Sequence, residues 1–357
     1  MYWKPPVSPV VAANQLKRLL EAYSPSGSER EAAERLVEIS SSLGLESWID
    51  EAGNVWACRG SGSLSVLVVG HIDTVPGMLE VRIVDGRVYG RGAVDAKGPL
   101  LSYIYALAGL VGEAAGPRLC VAGLVGEEAD SRGAIHLIEK GVTAEHVFIS
   151  EPTGGRSIAI GYRGSMHYRI TCRSNGGHAA SASDDDSAFE ALLRAWLTVK
   201  KKCRGNGVSM NVTLARAGEY PNMVPMEAWA WVDTRIAPGI KPEAVRSCID
   251  NALPAACITE YKEYTPPVRV KPQMPVPRSL MRALLRRGVR PRLTVKMGTS
   301  DMNLLYGRVS RDMAAYGPGD PRLSHSAVEY IDVEELLWSS GVEADAFIEL
   351  IGSGRAR

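Results

Sequence analysis

A histidine and an aspartate, His71 and Asp73, stand two positions apart after an apolar run in this chain. The run, VLVV at 66–69, predicts a strand that is buried on both faces and ends at Gly70. A carboxylate beside a metal-binding imidazole fixes its tautomer and raises its basicity, so His71 is a candidate metal ligand and Asp73 its orienting partner. The alternative is a polar strand end before a turn at 74–77, with His71 hydrogen-bonded at the surface. For these two residues alone, that alternative is favoured.

Asp95 is a second candidate ligand and lies in the glycine-rich segment GRGAVDAKG. The apolar run that follows, LLSYIYALAGL, predicts a buried helix and places Asp95 near a helix N-terminus. An acidic side chain is stabilised there by unpaired backbone N–H groups and by the helix dipole. From the residues alone, a simple capping role for Asp95 therefore stays open.

Three more acidic side chains follow predicted strands. Glu127 and Glu128 stand side by side after RLCVAGLV, and Glu151 follows HVFIS. Adjacent carboxylates repel each other and are costly to bury unless a cation offsets their charge. A carboxylate near a metal can take a proton from water as the water attacks a carbonyl, and then return it to the leaving amine. A surface turn is the alternative for Glu127 and Glu128, and Glu151 before a proline would alone be structural.

In this order the segments resemble those of the dinuclear-zinc amidohydrolases and peptidases of the M20 family, over nearly the whole chain. The resemblance is carried by GHIDTVPG, GRGAVDAKG, GEE, EPT and the closing SHSAVE. It implies two Zn²⁺ ions per subunit, with Co²⁺ able to replace Zn²⁺, held by nitrogen and oxygen donors. In the family's arrangement Asp95 bridges the ions, and the other ligands pair as His71 with Glu151 and Glu128 with His325.

Other site residues are implied only by the resemblance. Catalytic roles fall to Asp73 beside the metal, to Glu127 as general acid and base, and to His178, whose segment GGHAA resembles a lid motif that stabilises the oxyanion. Substrate contacts fall to residues of YPNMVP, DTRIAP and KMGTS, namely Asn222, Arg235, Gly298, Thr299 and Ser300. Arginine suits this task because its planar fork grips a carboxylate through two charge-assisted bonds. A surface position for His178 and a salt bridge between Arg235 and Asp233 are the alternatives.

The predicted elements place these residues on an α/β fold. Apolar strands alternating with helices predict a mixed, mostly parallel central sheet flanked by helices, with ligands at the carboxyl ends of its strands. From residue 162 the pattern changes to alternating strands with helices. We therefore expect a dinuclear-zinc catalytic domain over 1–161 and 271–357. An inserted α+β lid and dimerisation domain is expected over 162–270, and the resemblance implies a homodimer.

Charge and composition argue against several classes of protein. The chain has 357 residues and a formal net charge of +1, which disfavours a general nucleic-acid-binding surface. No segment is apolar over the length of a bilayer and no signal peptide is evident, so we expect a cytoplasmic protein without membrane contact. The six cysteines have no CxxC or CxxH spacing, so we expect reduced thiols in the core rather than disulfides or a zinc ribbon.

The reaction implied by the resemblance is hydrolysis of an amide. Within the family, GRGAVDAKGPL, GYRGS and the compact length resemble hydrolases of lysine and arginine biosynthesis. These release lysine or ornithine from the γ-carboxyl of the C-terminal glutamate of a small acidic amino-group carrier protein. Basic side chains could steer such a partner, with Lys97, Arg132, Arg156 and Arg163 as candidates. Alternatives are a deacylase of acetylornithine or succinyl-diaminopimelate, a dipeptidase or carboxypeptidase, and a non-catalytic amino-acid or peptide binder.

Overall fold

Two compact units make up the protein in the computed structural model, which describes residues 1–112 and 116–354. The first unit comprises Met1–Gly161, Val270–Val295 and Ser300–Arg357. The second comprises Tyr162–Arg269 and Lys296–Thr299. The chain therefore leaves the first unit twice, once for the long insertion and once for the short segment before Ser300.

The described residues form short strands and nine α-helices. The strands are β1 (Tyr2–Trp3), β2 (Glu46–Ile49), β3 (Val55–Arg59), β4 (Leu64–His71), β5 (Arg82–Val84), β6 (Arg87–Tyr89), β7 (Leu110–Val111), β8 (Arg118–Leu124), β9 (His146–Ser150), β10 (Ser157–Tyr162), β11 (Gly164–Arg173), β12 (Gly177–His178), β13 (Val208–Ala217), β14 (Met223–Val224), β15 (Glu227–Ile236), β16 (Cys257–Thr265), β17 (Val268–Arg269), β18 (Arg292–Lys296), β19 (Met313–Tyr316) and β20 (Tyr330–Asp332). The helices are α1 (Pro9–Glu21), α2 (Arg30–Ser42), α3 (Lys97–Ala108), α4 (Arg132–Glu139), α5 (Ala188–Cys203), α6 (Pro242–Ala252), α7 (Pro275–Arg286), α8 (Asp301–Leu305) and α9 (Val333–Gly354).

The main sheet of the first unit contains seven strands in the order β10-β19-β9-β4-β8-β3-β2. Its four central strands, β19, β9, β4 and β8, pair in parallel. At the edges β10, β3 and β2 pair antiparallel. The prediction of an α/β fold with a mixed sheet is confirmed, and parallel pairing is restricted to the centre of the sheet.

The strands β4, β8 and β9 carry the candidate site residues to one edge of the sheet. In β4 every side chain from Ser65 to His71 is buried, as the continuous apolar run predicted for a strand covered on both faces. Because these strands are parallel, their carboxyl ends lie at the same edge. The residues that follow them, among them Glu127 and Glu151, are therefore brought towards His71.

The helix α3 packs against the sheet and against α9, and its residues from Lys97 to Leu107 are buried. This confirms the buried helix predicted from its apolar run. A Cβ at Gly98 would lie 2.1 Å from the carbonyl oxygen of Ala93, so only glycine fits where α3 meets the Asp95 loop. None of the helices among residues 1–112 and 116–354 is both long and apolar enough to cross a bilayer.

The second unit is built on an antiparallel sheet in the order β13-β15-β11-β16. Side chains in β15 alternate between buried and half-buried positions, as expected for a sheet covered on one face. The buried side chains, such as Tyr168 and Ile170, form a core with Leu192 of α5 and Ile249 of α6. This unit therefore has a hydrophobic core of its own.

The expectation of reduced cysteines is wrong, because all six are paired in disulfides. The pairs are Cys58–Cys120, Cys172–Cys257 and Cys203–Cys248. Two of these join residues directly opposite each other on antiparallel strands, and the third joins α5 to α6. Pairing of this kind depends on strand register, which the spacing of cysteines along the chain does not reveal.

Removal of the disulfide between α5 and α6 is expected to destabilise the second unit. The Cys203→Ala/Cys248→Ala variant loses a link that closes a loop with a sequence separation of 45 residues. The expected cost is about 2–4 kcal/mol in the free energy of unfolding, because the link restricts the unfolded chain. Thermal unfolding without reductant measures it, with reduced wild type as the control. Equal melting temperatures, with six titratable thiols in unreduced wild type, would contradict the assignment.

Candidate active site

His71 ends β4, and its imidazole is buried with its two nitrogens facing acidic residues. Nδ1 lies 2.9 Å from the backbone oxygen of Asp73 and 3.5 Å from its Oδ1, while Nε2 lies 3.2 Å from Oδ1 of Asp95. The prediction assigned the orienting contact to the carboxylate of Asp73, but its carbonyl oxygen makes the shorter contact. With Nδ1 donating to that carbonyl, Nε2 is the nitrogen available to a metal.

The carboxylate of Asp73 fastens the loop that presents the two adjacent glutamates. It accepts hydrogen bonds from Oγ of Ser26 at 2.7 Å and from the backbone N–H groups of Glu127 and Glu128, each at 3.1 Å. Burial alone would raise the pKa of Asp73, but the hydrogen bond and charge of His71, together with the bond from Ser26, lower it to about 2. Asp73 is therefore held ionised, with its oxygens fully engaged.

Asp73→Asn is expected to destabilise the metal-free protein at neutral pH. The folded-state pKa of Asp73, about 2, lies below its usual value of 3.8, so the stabilisation is fully present above about pH 4. It is lost as the pH falls through about 2, and its size at pH 7 is on the order of 2 kcal/mol. Urea unfolding of both proteins at pH 7 and at about pH 3 measures it. A difference that is absent at pH 7, or that grows on acidification, would rule out this role.

Five side chains bring their ligand atoms together in two groups at this edge of the sheet. One group is His71, Asp95 and Glu151, and the other is Asp95, Glu128 and His325; within each, the ligand atoms lie within 4.8 Å of one another. Asp95 belongs to both, since its Oδ1 is 3.2 Å from Nε2 of His71 and its Oδ2 is 3.5 Å from Nε2 of His325. One carboxylate oxygen thus faces each group, and the N-cap of α3 is Ala96 rather than Asp95.

His325 completes the second group from an exposed loop. Its Nε2 lies 2.7 Å from Oε1 of Glu128, and half of its side chain is accessible to solvent. Its backbone φ is 58°, in the left-handed region that few residues other than glycine adopt. The loop therefore holds the imidazole over Glu128 in a conformation that is costly for a histidine.

The acidic residues at the site repel one another in a partly dry environment. Burial raises the pKa of Glu127 well above its usual range, and the charges of Asp301, Glu151 and Glu128 add to this, while His71 opposes it. Burial also raises the pKa of Glu128. A cation bound among these groups would offset the repulsion, and imidazole nitrogen with carboxylate oxygen is a donor set that suits a divalent metal such as zinc.

Two acidic residues of this region received no role from the sequence. Asp301 begins α8, is 3% exposed, and its Oδ1 accepts no hydrogen bond from any described residue. Burial raises its pKa to about 7, helped by the charges of Asp73 and Glu151 and opposed by His71. Glu329 is 1% exposed and accepts the backbone N–H of Asp95. The only signals were their positions, at the end of KMGTSD and four residues after His325.

Two predicted residues of the second unit are neighbours. His178 lies in β12, opposite Met223 of β14, and is exposed. The carbonyl oxygen of Asn222 accepts the N–H of Ala179 at 3.0 Å, which places Asn222 beside the histidine. The two segments GGHAA and YPNMVP therefore meet within this unit, and the roles of His178 and Asn222 stay predictions.

The other predicted substrate contacts have separate surroundings. Arg235 of β15 lies 3.0 Å from Oδ1 of Asp233, which is the salt bridge considered as its alternative role. Gly298 is exposed and Thr299 is half-buried, and both belong to the second unit. Ser300, in the first unit, is buried and its hydroxyl accepts a backbone N–H as the N-cap of α8. Their roles towards a substrate likewise stay predictions.

A comparison with known families accounts for the whole arrangement. Residues 67–346 match the model of peptidase family M20/M25/M40. The chain belongs to this family. A [LysW]-lysine/[LysW]-ornithine hydrolase of Saccharolobus islandicus is 36% identical to it over 91% of this chain and 92% of its own. A Pyrobaculum aerophilum relative provisionally given the same name is 40% identical over 90% of this chain and 92% of its own.

Solved structures show the same fold in other members of the family. The aminopeptidase PepT of Bacillus cereus superposes with a TM-score of 0.82 and 20% identity, covering 97% of this chain and 99% of that one. At this identity the likeness shows the fold alone. Membership of the M20 family and the hydrolase relatives make this chain an amidohydrolase, and with the nitrogen and oxygen donors they imply a divalent metal.

One of the cations considered for steering a partner is unsuited to it in this M20 hydrolase. Lys97 is 1% exposed and donates to two backbone carbonyl oxygens at the end of α1, at 2.8 and 3.3 Å. Burial lowers its pKa to about 7, against the charge of Glu329. The expectation for Lys97 is therefore wrong, because α1 covers the start of α3. Arg132 is ion-paired with Glu29, whereas Arg156 is exposed.

Proposed function

We propose that this M20 hydrolase releases lysine or ornithine from the carrier protein LysW in lysine and arginine biosynthesis. The bond cut would be the amide between the amino acid and the γ-carboxyl of the carrier's C-terminal glutamate. The observation that carries the proposal is the pair of donor groups that share Asp95, with Glu127 beside them. It occurs in a chain 36–40% identical to relatives that bear the name of this reaction.

The proposed cofactor is a pair of Zn²⁺ ions, with Co²⁺ as a substitute. Asp95 would bind both ions, because its two oxygens face the two histidines at 3.2 and 3.5 Å. The other ligands would be His71 with Glu151, and Glu128 with His325, as the two groups suggest. When bound, two such ions supply Lewis acidity for the scissile carbonyl and for the attacking water.

Glu127 is the proposed general acid and base. Its carboxylate would take a proton from water as the oxygen attacks the amide carbon, and pass that proton to the nitrogen as the C–N bond breaks. The products are then the free carboxyl of the carrier and the free amine of the amino acid. Asp73 supports this step by holding the backbone N–H of Glu127 at 3.1 Å.

The second unit is proposed to act as a lid and as the dimerisation domain of a cytoplasmic homodimer. His178 would stabilise the oxyanion, and the proposed substrate contacts are Asn222, Arg235, Gly298, Thr299 and Ser300. The proximity of Asn222 to His178 within the unit supports a shared role. Arg235 would exchange its salt bridge with Asp233 for the substrate's carboxylate, to which its guanidinium can donate two bonds.

The substrate distinguishes the proposal from its alternatives. Purified protein loaded with Zn²⁺ is given LysW-lysine, LysW-ornithine, acetylornithine, succinyl-diaminopimelate and simple dipeptides, and kcat/KM is measured for each. We expect the carrier conjugates to exceed every small amide by at least about 100-fold, since a macromolecular substrate adds binding contacts outside the reacting group. Higher activity on a small amide would favour a deacylase or peptidase, and binding without turnover would favour the non-catalytic alternative.

A further inference from the structure

The carboxylate of Glu329 lies buried beneath the loop that presents Asp95. Its Oε1 accepts three backbone N–H groups of that loop: those of Gly92 at 3.0 Å, Val94 at 2.9 Å and Asp95 at 3.1 Å. Hydrogen bonds to an ionised acceptor are about twice as strong as neutral ones. Three of them on a single oxygen fix the path of the loop immediately before the Asp95 side chain.

The other polar atoms of Glu329 hold the beginning of the same loop. Its Oε2 accepts Nη1 of Arg91 at 2.9 Å, and its backbone oxygen accepts the N–H of Gly90 at 3.1 Å. Arg91 in turn donates from Nε to the carbonyl oxygen of Gly77, which follows the His71 strand by six residues. Glu329 thus joins three segments: the one after His71, the one that carries Asp95, and its own.

Its own segment also carries a candidate ligand, since His325 is four residues earlier in the chain. The relative positions of Asp95 and His325, whose Oδ2 and Nε2 lie 3.5 Å apart, therefore depend on a residue that contacts no proposed ligand side chain. We infer that Glu329 is a positioning residue that sets Asp95 between His71 and His325. This inference rests on the proposed function, because it takes Asp95 to be a metal ligand.

A purely structural role is the competing explanation, and another buried glutamate shows what that looks like. Glu343 of α9 is 0% exposed, and its Oε2 accepts a hydrogen bond from Oγ of Ser102 at 2.7 Å. Its Oε1 has no partner among the described residues, and burial raises its pKa well above the usual range. Glu343 is engaged with α3 rather than with the loops of the site, which makes Glu343→Gln a matched control.

The variant that tests the inference is Glu329→Gln, which keeps the size of the side chain but not its charge. A glutamine oxygen can replace only one of the two acceptors, because its amide group donates and would face either the Arg91 guanidinium or the loop N–H groups. We expect the affinity for Co²⁺ or Zn²⁺ to fall by about 10–100-fold, the range for residues that orient metal ligands. Glu343→Gln is expected to keep wild-type metal affinity.

The experiment uses metal-free full-length protein, titrated with Co²⁺ and followed by absorption, with the unfolding temperature of each metal-free variant recorded alongside. Arg91→Gln provides a milder second variant, since Oε1 keeps its three bonds, and is expected to lose affinity in the same direction. Wild-type metal affinity in folded Glu329→Gln, or in Arg91→Gln should the first variant fail to fold, overturns the inference alone. If wild-type protein binds no divalent ion, the proposed function fails and the inference falls with it.

Discussion

Glu127→Gln is expected to reduce the release of lysine from LysW by about 10²–10⁴-fold, the usual contribution of a general acid and base. Glutamine has nearly the same shape but cannot take a proton from water or pass it to the leaving amine. The backbone N–H of residue 127 would still donate to Asp73, so the loop is expected to stay in place. Metal content should therefore equal that of wild type, and the loss should appear in kcat rather than in KM.

A suitable control is Glu139→Gln, which makes the same chemical change at an exposed position at the end of α4. It is expected to keep wild-type turnover. Were Glu127→Gln to hydrolyse the conjugate at the wild-type rate, the role assigned to Glu127 would be wrong. A variant that loses metal as well as activity would instead make Glu127 a ligand, which its grouping with His71 and Glu128 within 4.8 Å would allow.

Asp95→Asn is expected to lower both metal binding and hydrolysis, because Asp95 is shared by the two donor groups. An amide offers one acceptor oxygen in place of two, so one of the two histidines would face an NH₂ group that binds no metal. We expect the metal content to fall from two ions towards one, and kcat/KM to fall by more than the roughly 10–100-fold typical of residues that only support a ligand.

The measurement is metal analysis of dialysed protein, paired with hydrolysis assays at increasing Zn²⁺. A ligand with a single metal would give a variant in which excess Zn²⁺ restores full activity. Two ions bound with unchanged affinity in Asp95→Asn would contradict the bridging role. Asp130→Asn serves as the control, because Asp130 is exposed and pairs with Arg132 rather than with either histidine.

The sequence was sufficient to predict which side chains meet at the metal site. His71, Glu128 and Glu151 follow buried strands, and parallel strands bring such positions to one edge of a sheet. The alternating pattern likewise predicted a mixed α/β sheet. The pairing of the ligands came from the family resemblance, and the structure groups the same residues in the same way.

Other features depend on contacts between distant segments, which neither periodicity nor spacing records. Glu329 gains its role from a loop more than two hundred residues earlier in the chain, with a separation of 234 residues to Asp95. The Cys58–Cys120 disulfide follows from the register of β3 against β8. Lys97 resembles a surface lysine in the sequence and is buried only because α1 covers it.

The central claim is that the protein releases lysine or ornithine from LysW, and intact-mass spectrometry of the carrier tests it most directly. LysW-lysine or LysW-ornithine is incubated with Zn²⁺-loaded wild type, with Glu127→Gln and with metal-free protein. The account predicts that wild type alone converts the conjugate to free LysW, with one equivalent of amino acid appearing in solution. A carrier whose mass is unchanged, from an enzyme preparation that rapidly hydrolyses acetylornithine or a dipeptide, would contradict it.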